Sequence, residues 1–535
     1  MDTFDYIVVG AGAAGCIMAS RLSEDPAVKV ALIEAGPTDQ AFPTNLKTLL
    51  PIGNIFLLPH ARYNWQYEFT GGTGVDDRTI ACPRGRLVGG STAVNGTVYV
   101  RGHRLDYEDW AALGNSGWDY ASVLKAYKAH EHHAAGANAF HGTGGPLDVS
   151  RLREPNPIAT AFVDAAVAAG HGRNPDFNGA EQDGFGYFEI NQRGGARLSS
   201  SRAFLHPVLS RPNLTVFTDA LVERVRLKGD RADGLVMRID GGRRELSATC
   251  EVVLCGGTIG SAHLLLLSGI GPAAELARHG IDVRHDLPGV GENLQDHPSV
   301  SLNVLDPTRT AYALTWQDAP RVAMAPLKYA LSRRGMLASN AAEAGGFIRS
   351  HAGADRPDIQ LTLMVGMKES ARTMPRRHGI VCHAAVQRPS TRGTLRLQSS
   401  DPAVKPLLRP RFLEERRDVE LLMHGLRTAR RIVAQAEFER YVGQELGPGR
   451  GEDSDEQLER YIRRAATTTY HPAGTCRMGP GTEPLAVVDS RLRTHGLQGL
   501  RVVDASIMPN IVSGNTAAAS MMIGWRGASF ILEGH

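Results

Sequence analysis

Four apolar residues in a row, Tyr6-Ile7-Val8-Val9, run straight into Gly10-Ala11-Gly12-Ala13-Ala14-Gly15, and a helical spacing of apolar positions follows over residues 16–22. An unbroken apolar run suits a strand buried on both faces, as in a parallel sheet. A second such run, residues 28–33, ends at Glu34 and predicts the second strand of a βαβ unit. Residues 220–228 and 245–254 cluster or alternate apolar positions as strands do, with Gly256-Gly257 closing the second, and are assigned to the same sheet. A glycine-rich block at 85–102 precedes a helical stretch at 106–113. Between residues 302 and 412 the pattern changes. Strand-like runs at 358–364, 379–386 and 393–398 are cut by proline-rich turns, with one helical stretch at 321–334, which predicts an antiparallel sheet in a second domain. Residues 418–435 and 455–464 read as helices, 500–503 as a strand ending at Asp504, and Asn515-Thr516 as an N-cap pair opening a last helix over 517–532.

The strand, glycine turn and helix at the N-terminus form a phosphate cradle. The first two glycines of Gly10, Gly12 and Gly15 permit the tight turn and close backbone approach to a pyrophosphate, and the third lets helix and strand pack. The helix N-terminus adds partial positive charge. Glu34, about 20 residues on, is placed to accept the ribose hydroxyls. The motif does not separate FAD from NAD. It occurs once, so a flavin reading leaves electrons to an acceptor other than NAD(P).

Composition narrows the classes. A chain of 535 residues exceeds what one hydrophobic core usually supports, so two domains are expected. With 59 basic against 56 acidic residues there is no charge excess to hold a nucleic-acid backbone. The six cysteines are scattered without Cys-x-x-Cys spacing, which argues against a disulfide framework or zinc site and for a reducing compartment. The N-terminus lacks secretory-signal features, and no apolar run approaches the ~20 residues of a membrane span. A cytoplasmic protein with at most peripheral contact at a membrane is expected. His130-Glu131-His132-His133 has no accompanying carboxylate or cysteine pattern, so a solvated loop, not a metal site, is expected there. Tyr63, Trp65, Tyr312 and Trp316 are read as packing aromatics.

Longer strings carry a resemblance. Gly85-Arg86-Leu87-Val88-Gly89-Gly90-Ser91-Thr92-Ala93-Val94-Asn95, the stretch Gly257-Thr258-Ile259-Gly260-Ser261-Ala262 with Ser268-Gly269-Ile270-Gly271, and Thr469 to Gly479 resemble the glucose-methanol-choline (GMC) family of FAD-dependent oxidoreductases. Glu154-Pro155-Asn156-Pro157, residues 174–179 and residues 291–297 are similar to bacterial members of the sorbose, polyethylene-glycol and choline dehydrogenase-like group. Ala262 departs from the family pattern, as do Ala517-Ala518-Ala519 after Asn515-Thr516. The resemblance implies an α/β fold: a Rossmann-like FAD-binding domain from residues 1–155, 196–300 and 466–535, and a substrate domain from 156–195 and 301–465, with an antiparallel β-sheet flanked by helices. It also implies FAD contacts from Gly10, Gly12, Ala13, Ala14, Gly15, Glu34, Ala35, Arg86, Val88, Gly89, Gly90, Asn95, Gly96, Thr97, Val98, Val222, Asp504, Ala505, Asn515 and Thr516. Some members link FAD covalently through a histidine in the first string. Val94 stands there, so non-covalent FAD is expected.

The chemistry implied is oxidation of a primary or secondary alcohol, such as a sugar or polyol, to a carbonyl by hydride transfer to flavin N5. An imidazole titrating near neutrality suits His471 as general base, and the Asn515 carboxamide can hydrogen-bond the substrate oxygen as charge develops. The resemblance places both beside N5. The last helix would aim its N-terminal amides at charge developing on flavin N1 and O2. Cys476 is read as a structural thiol. The acceptor is expected to be a quinone or cytochrome, with oxygen as the oxidase alternative. A hydroxynitrile-type lyase and a flavin-binding protein without turnover are the rivals.

Overall fold

The computed structural model describes residues 2–367 and 375–534. The strand Asp2–Val9 lies inside a seven-stranded sheet. It pairs in parallel with Val30–Ile33 on one side, Tyr6 opposite Val30, and with Gly242–Leu254 on the other, Ile7 opposite Val252. Leu214–Phe217 continues the parallel order beyond Val30–Ile33. All of Val30–Ile33 and the last four residues of Asp2–Val9 are buried, which is why those runs are apolar without alternation. Gly242–Leu254 divides its outer edge between two partners. Its first half pairs antiparallel with Arg231–Ile239, and its second half pairs in parallel with Leu500–Val502. The second pairing carries Asp504 from the end of the chain to the N-terminal glycine turn. The helix Thr516–Leu532 packs there through Gly524, where a Cβ would stand 2.7 Å from the Ala14 Cα.

A second seven-stranded sheet is antiparallel throughout. Its order is Glu445–Gly447, Pro298–Leu305, Gly379–Val386, Ile359–Met364, Ala342–Ile348, Gly184–Tyr187, with Thr467–Thr468 also pairing against Pro298–Leu305. The two faces follow from the period of two in a strand. Val300, Leu302, Leu361, Leu363, Cys382 and Ala384 are buried, on the face covered by the helices Pro157–Ala168 and Arg416–Val433. Gly425 makes that approach possible, since a Cβ there would meet the Ala384 Cβ at 2.6 Å. Ser299, Ser301, Asn303, Gln360, Thr362 and His383 point the other way and line a cavity.

Two expectations are corrected. The run at 393–398 does not join the large antiparallel sheet. Thr394–Arg396 forms a separate four-stranded sheet with Leu407–Arg409, Tyr67–Phe69 and Ile80–Cys82, because the loop at 291–294 captures it: Leu395 N–H donates to Gly291 O, and Gly393 exchanges two backbone bonds with Leu294.

Residues 130–133 are not a solvated loop. His130 ends the helix Tyr120–His130 and is buried, while Glu131–His133 forms a strand parallel to Leu147–Val149, with only His132 exposed. Carboxylates remote in sequence complete the cluster. His133 Nε2 meets Glu189 Oε1 at 2.6 Å, and its Nδ1 accepts the Ala135 N–H. His141 contacts Glu131 through Nδ1 and Asp176 through Nε2, and the Arg101 guanidinium pairs with Glu131. Burial alone would lower the His141 pKa, but its bonds to Asp176 and Glu131 prevail and hold it up at about 9. Every imidazole nitrogen of His133 and His141 thus has a protein partner, so the group reads as a buried ionic lock behind the strand Val98–Tyr99, whose Tyr99 O accepts from Asn178.

Candidate active site

A cavity of about 1090 Å³ runs from the N-terminal glycine turn to the polar face of the antiparallel sheet. Of the residues expected to hold the cofactor, Gly10, Gly12, Ala13, Ala14, Glu34, Ala35, Arg86, Gly90, Asn95, Gly96, Val98, Val222, Asp504, Ala505, Asn515 and Thr516 line it. Gly15, Val88, Gly89 and Thr97 stand behind this wall and shape it. A Cβ on Gly15 would overlap the Gly10 carbonyl at 1.8 Å. Val88 N–H donates to Pro37 O, Gly89 N–H to Ala11 O, and Thr97 N–H to Asn95 Oδ1. Of the four aromatics read as packing, Trp65 and Tyr312 line the cavity, Tyr63 is buried elsewhere and Trp316 is exposed.

The wall suits an anionic dinucleotide. Gly12, Gly96, Gly257 and Gly260 line the cavity with nothing within 4 Å of where a Cβ would be, so a bound group can lie against bare backbone there. The helices Gly15–Leu22, Gly257–Leu267 and Thr516–Leu532 all begin at this wall, which concentrates positive dipole ends. Glu34 is clamped by the amides of Ala11 and Gly36 at 3.0 and 2.9 Å. Burial outweighs those bonds and pushes its carboxyl up to about 7. Asp504 accepts from Gly257 N–H, Ser261 Oγ and Ser506 N–H, tying the C-terminal strand to the start of Gly257–Leu267.

At the other end of the cavity His471 and Asn515 meet. Asn515 Nδ2 lies 3.2 Å from His471 Nε2. Asn515 occupies the N-cap position of Thr516–Leu532 with extended backbone angles, yet its side chain caps no amide. The expected N-cap role is therefore replaced by a bond to the imidazole, and Asn515 Oδ1 is buried with no protein partner. With the amide nitrogen facing it, Nε2 is an acceptor, so the proton of the neutral ring lies on Nδ1. There Thr469 Oγ1 stands at 2.8 Å and His297 Nδ1 at 3.1 Å. Enclosure by protein, then the neighbouring His297 and Arg84, hold the His471 pKa well below its usual value.

The backbone fixes this imidazole. Tyr470 adopts φ +66°, uncommon for a bulky residue. It is held by its N–H to Thr468 Oγ1 at 2.7 Å and by its carbonyl, which accepts from Arg84. His471 N–H then donates to Asp296 Oδ1 at 2.9 Å, and Thr468 Oγ1 donates to Asp296 Oδ2 at 2.6 Å. Over-determination of this kind is what a strained presenting loop requires. Asp296, His297 and Thr469 were not among the expected site residues. Asp296-His297 ends the string at 291–297, and Thr469 opens the His471 string, but nothing local to either shows that they meet. Cys476, five residues past His471, is buried, which pushes its thiol pKa up, and takes no part in this contact set.

Comparisons with known proteins agree with this architecture. The GMC oxidoreductase family descriptions match residues 4–299 and 389–524. The "Alcohol dehydrogenase [acceptor]" of Pseudomonas putida is 39% identical over 534 residues, covering 99% of this chain and 96% of that protein. The mitochondrial choline dehydrogenase of Homo sapiens is 40% identical over 99% of this chain and 90% of its own length. The crystal structure of pyridoxine 4-oxidase from Mesorbium loti superposes with a TM-score of 0.89 at 31% identity, covering 99% of this chain and all of that one.

Proposed function

The chain belongs to the GMC oxidoreductase family, and from that premise we propose that His471 is its general base and Asn515 the group that holds the substrate oxygen. The protein is an FAD-dependent oxidoreductase acting on CH–OH groups. FAD, when bound, supplies the hydride acceptor. His471 takes the hydroxyl proton at Nε2, and the resulting imidazolium keeps its Nδ1 proton against Thr469 and His297. The substrate hydroxyl takes the place of the contact between His471 Nε2 and Asn515 Nδ2: its proton goes to Nε2, and the Asn515 N–H that Nε2 releases is donated to the substrate oxygen as negative charge builds on it. The observation that carries this reading is the 3.2 Å contact between His471 Nε2 and Asn515 Nδ2 on the cavity wall, with the ring kept neutral by burial.

Anaerobic mixing with candidate alcohols, followed at the flavin absorbance, tests it. His471→Ala should retain FAD and reduce it slower by a factor of about 10²–10⁴, and near-normal reduction would remove His471 as base. The same wall supports non-covalent FAD, because Val94 offers no nucleophile where it lines the cavity. Acid precipitation should release the flavin, and a yellow pellet would refute the reading. The substrate is a small alcohol whose further polar groups meet Ser299, Ser301, Thr362 and His383. The acceptor is a quinone or cytochrome in preference to oxygen, a choice decided by oxygen consumption during turnover.

A further inference from the structure

Seven of the fourteen large apolar side chains exposed among the described residues fall in two short segments: Phe42, Leu46 and Phe56 in one, and Trp316, Met324, Leu327 and Leu331 in the other. The second segment is built around the helix Ala319–Ser332, which buries only Ala325 and Tyr329. Met324, Leu327 and Leu331 follow i, i+3, i+7 spacing and form one outward stripe. Trp316 is 83% exposed and Leu331 80%, values that a soluble surface does not favour for such side chains in a cluster.

The two segments are neighbours. Residues 195–202 bridge them: Tyr329 Oη donates to Gly195 O, Arg197 donates to Pro51 O, and Arg202 donates to Asn45 O. The patch also backs onto the cavity, since Ile55 lines it while the adjacent Phe56 points outward.

Charge decides what covers the patch. Residues 40–62 contain Lys47 and Arg62 and no carboxylate; residues 316–342 contain Arg321, Lys328, Arg333 and Arg334 and a single carboxylate, Asp318, which meets His378 at 3.0 Å. Lys328 pairs with Glu154 and Arg321 faces the charge of Asp318, which leaves Lys47, Arg62, Arg333 and Arg334 uncompensated by any acid within their own segments. In a chain with nearly balanced charge, this is a local excess of one sign around an apolar stripe. A second copy of the chain would bring basic flank against basic flank, because a two-fold interface juxtaposes the same surface. An anionic lipid surface complements both features: headgroups meet the cations, and the apolar side chains enter the boundary of the acyl region. No helix among the described residues is long and apolar enough to cross a membrane, so the contact is with one leaflet.

We propose that the face formed by residues 42–56 and 316–334 docks the enzyme on an anionic bilayer, with the helix Ala319–Ser332 lying in the interface. The test is flotation of the FAD-loaded protein with vesicles of phosphatidylcholine containing phosphatidylglycerol, and with vesicles of phosphatidylcholine alone. The wild type should bind the anionic vesicles, and more weakly by about tenfold or more the neutral ones or the anionic ones in high salt. Leu327→Glu with Leu331→Glu should reduce binding by a similar factor while FAD content and dye-coupled turnover stay unchanged. Arg333→Glu with Arg334→Glu should do the same without touching the apolar stripe. Brominated lipid should quench fluorescence in the wild type and less in Trp316→Phe. A wild type that stays with the soluble fraction, variants that float as well as the wild type, or a dimer that the Leu327/Leu331 variant dissolves would each overturn the proposal.

Discussion

His297 and His471 face each other through their Nδ1 atoms at 3.1 Å, with ring planes at 85°. Only one proton fits between two such nitrogens. Burial pushes the His297 pKa down to about 3, so His297 stays neutral and works against a second charge on the His471 side. The pair keeps the base free of its proton before substrate arrives.

The rate of flavin reduction should therefore hold constant from alkaline pH down through the ordinary imidazole pKa of about 6.5, because a pKa depressed in the folded protein leaves Nε2 unprotonated there. His297→Ala removes one cause of that depression, so the acid limb should move to higher pH and the plateau should fall by about tenfold as the ring loses support. Stopped-flow reduction across pH reads both. An acid limb unmoved in the variant would assign the depression to enclosure and Arg84.

Asn515→Asp keeps the shape of the side chain and changes its charge. A carboxylate within hydrogen-bond reach of Nε2 favours the imidazolium, so the acid limb should move up further than in His297→Ala, and the amide proton offered to the substrate oxygen is lost. Reduction at neutral pH should drop by about 10²–10³. Because the amide caps no backbone group, the thermal midpoint of Asn515→Ala should stay close to that of the wild type, whereas loss of a true cap costs about 1 kcal/mol.

Asp296 lies under the His471 loop, and burial lifts its carboxyl from 3.8 to about 6 against the bonds it accepts from Thr468 and His471. A folded-state pKa above the unfolded one means the folded protein holds this proton more tightly. The contribution to stability is full below about pH 4 and is lost as pH rises through 6, where the charged group becomes a penalty of about 3 kcal/mol. Asp296→Asn can still accept the His471 and His297 amides, which both donate to Oδ1, through its oxygen. Urea unfolding should show a shallower pH dependence between about pH 4 and 6 in the variant than in the wild type. Parallel curves would show that the carboxylate is solvated on opening.

Gly524→Ala should loosen the FAD site from a distance. Its Cβ would stand 2.7 Å from the Ala14 Cα and 2.9 Å from the Ala14 carbonyl, both backbone atoms. The helix Thr516–Leu532 must move away, at a cost of about 1–3 kcal/mol that the helix propensity of Ala, about 1 kcal/mol better than Gly, does not cover. A lower melting temperature together with weaker FAD retention is the expected pair of readouts, since Ala14 lines the cavity.

The amino-acid order alone determined the glycine turn between two buried parallel strands, the carboxylate of Glu34 at the end of the second, and the candidates His471 and Asn515. Each of these depends on interactions within a few residues: apolar runs that bury a strand, glycines that allow a turn, a short string around one imidazole. The tertiary structure alone decided that His297, 174 residues away in the chain, meets His471. It also turned Asn515 from an N-cap into the imidazole's partner, drew Thr394–Arg396 out of the large sheet, and closed residues 130–133 into an ionic lock with Arg101, Asp176 and Glu189. The reason is physical. Backbone periodicity reports which face of a segment is buried, but a polar side chain finds its partner only after topology brings distant segments together, and no local spacing encodes that meeting.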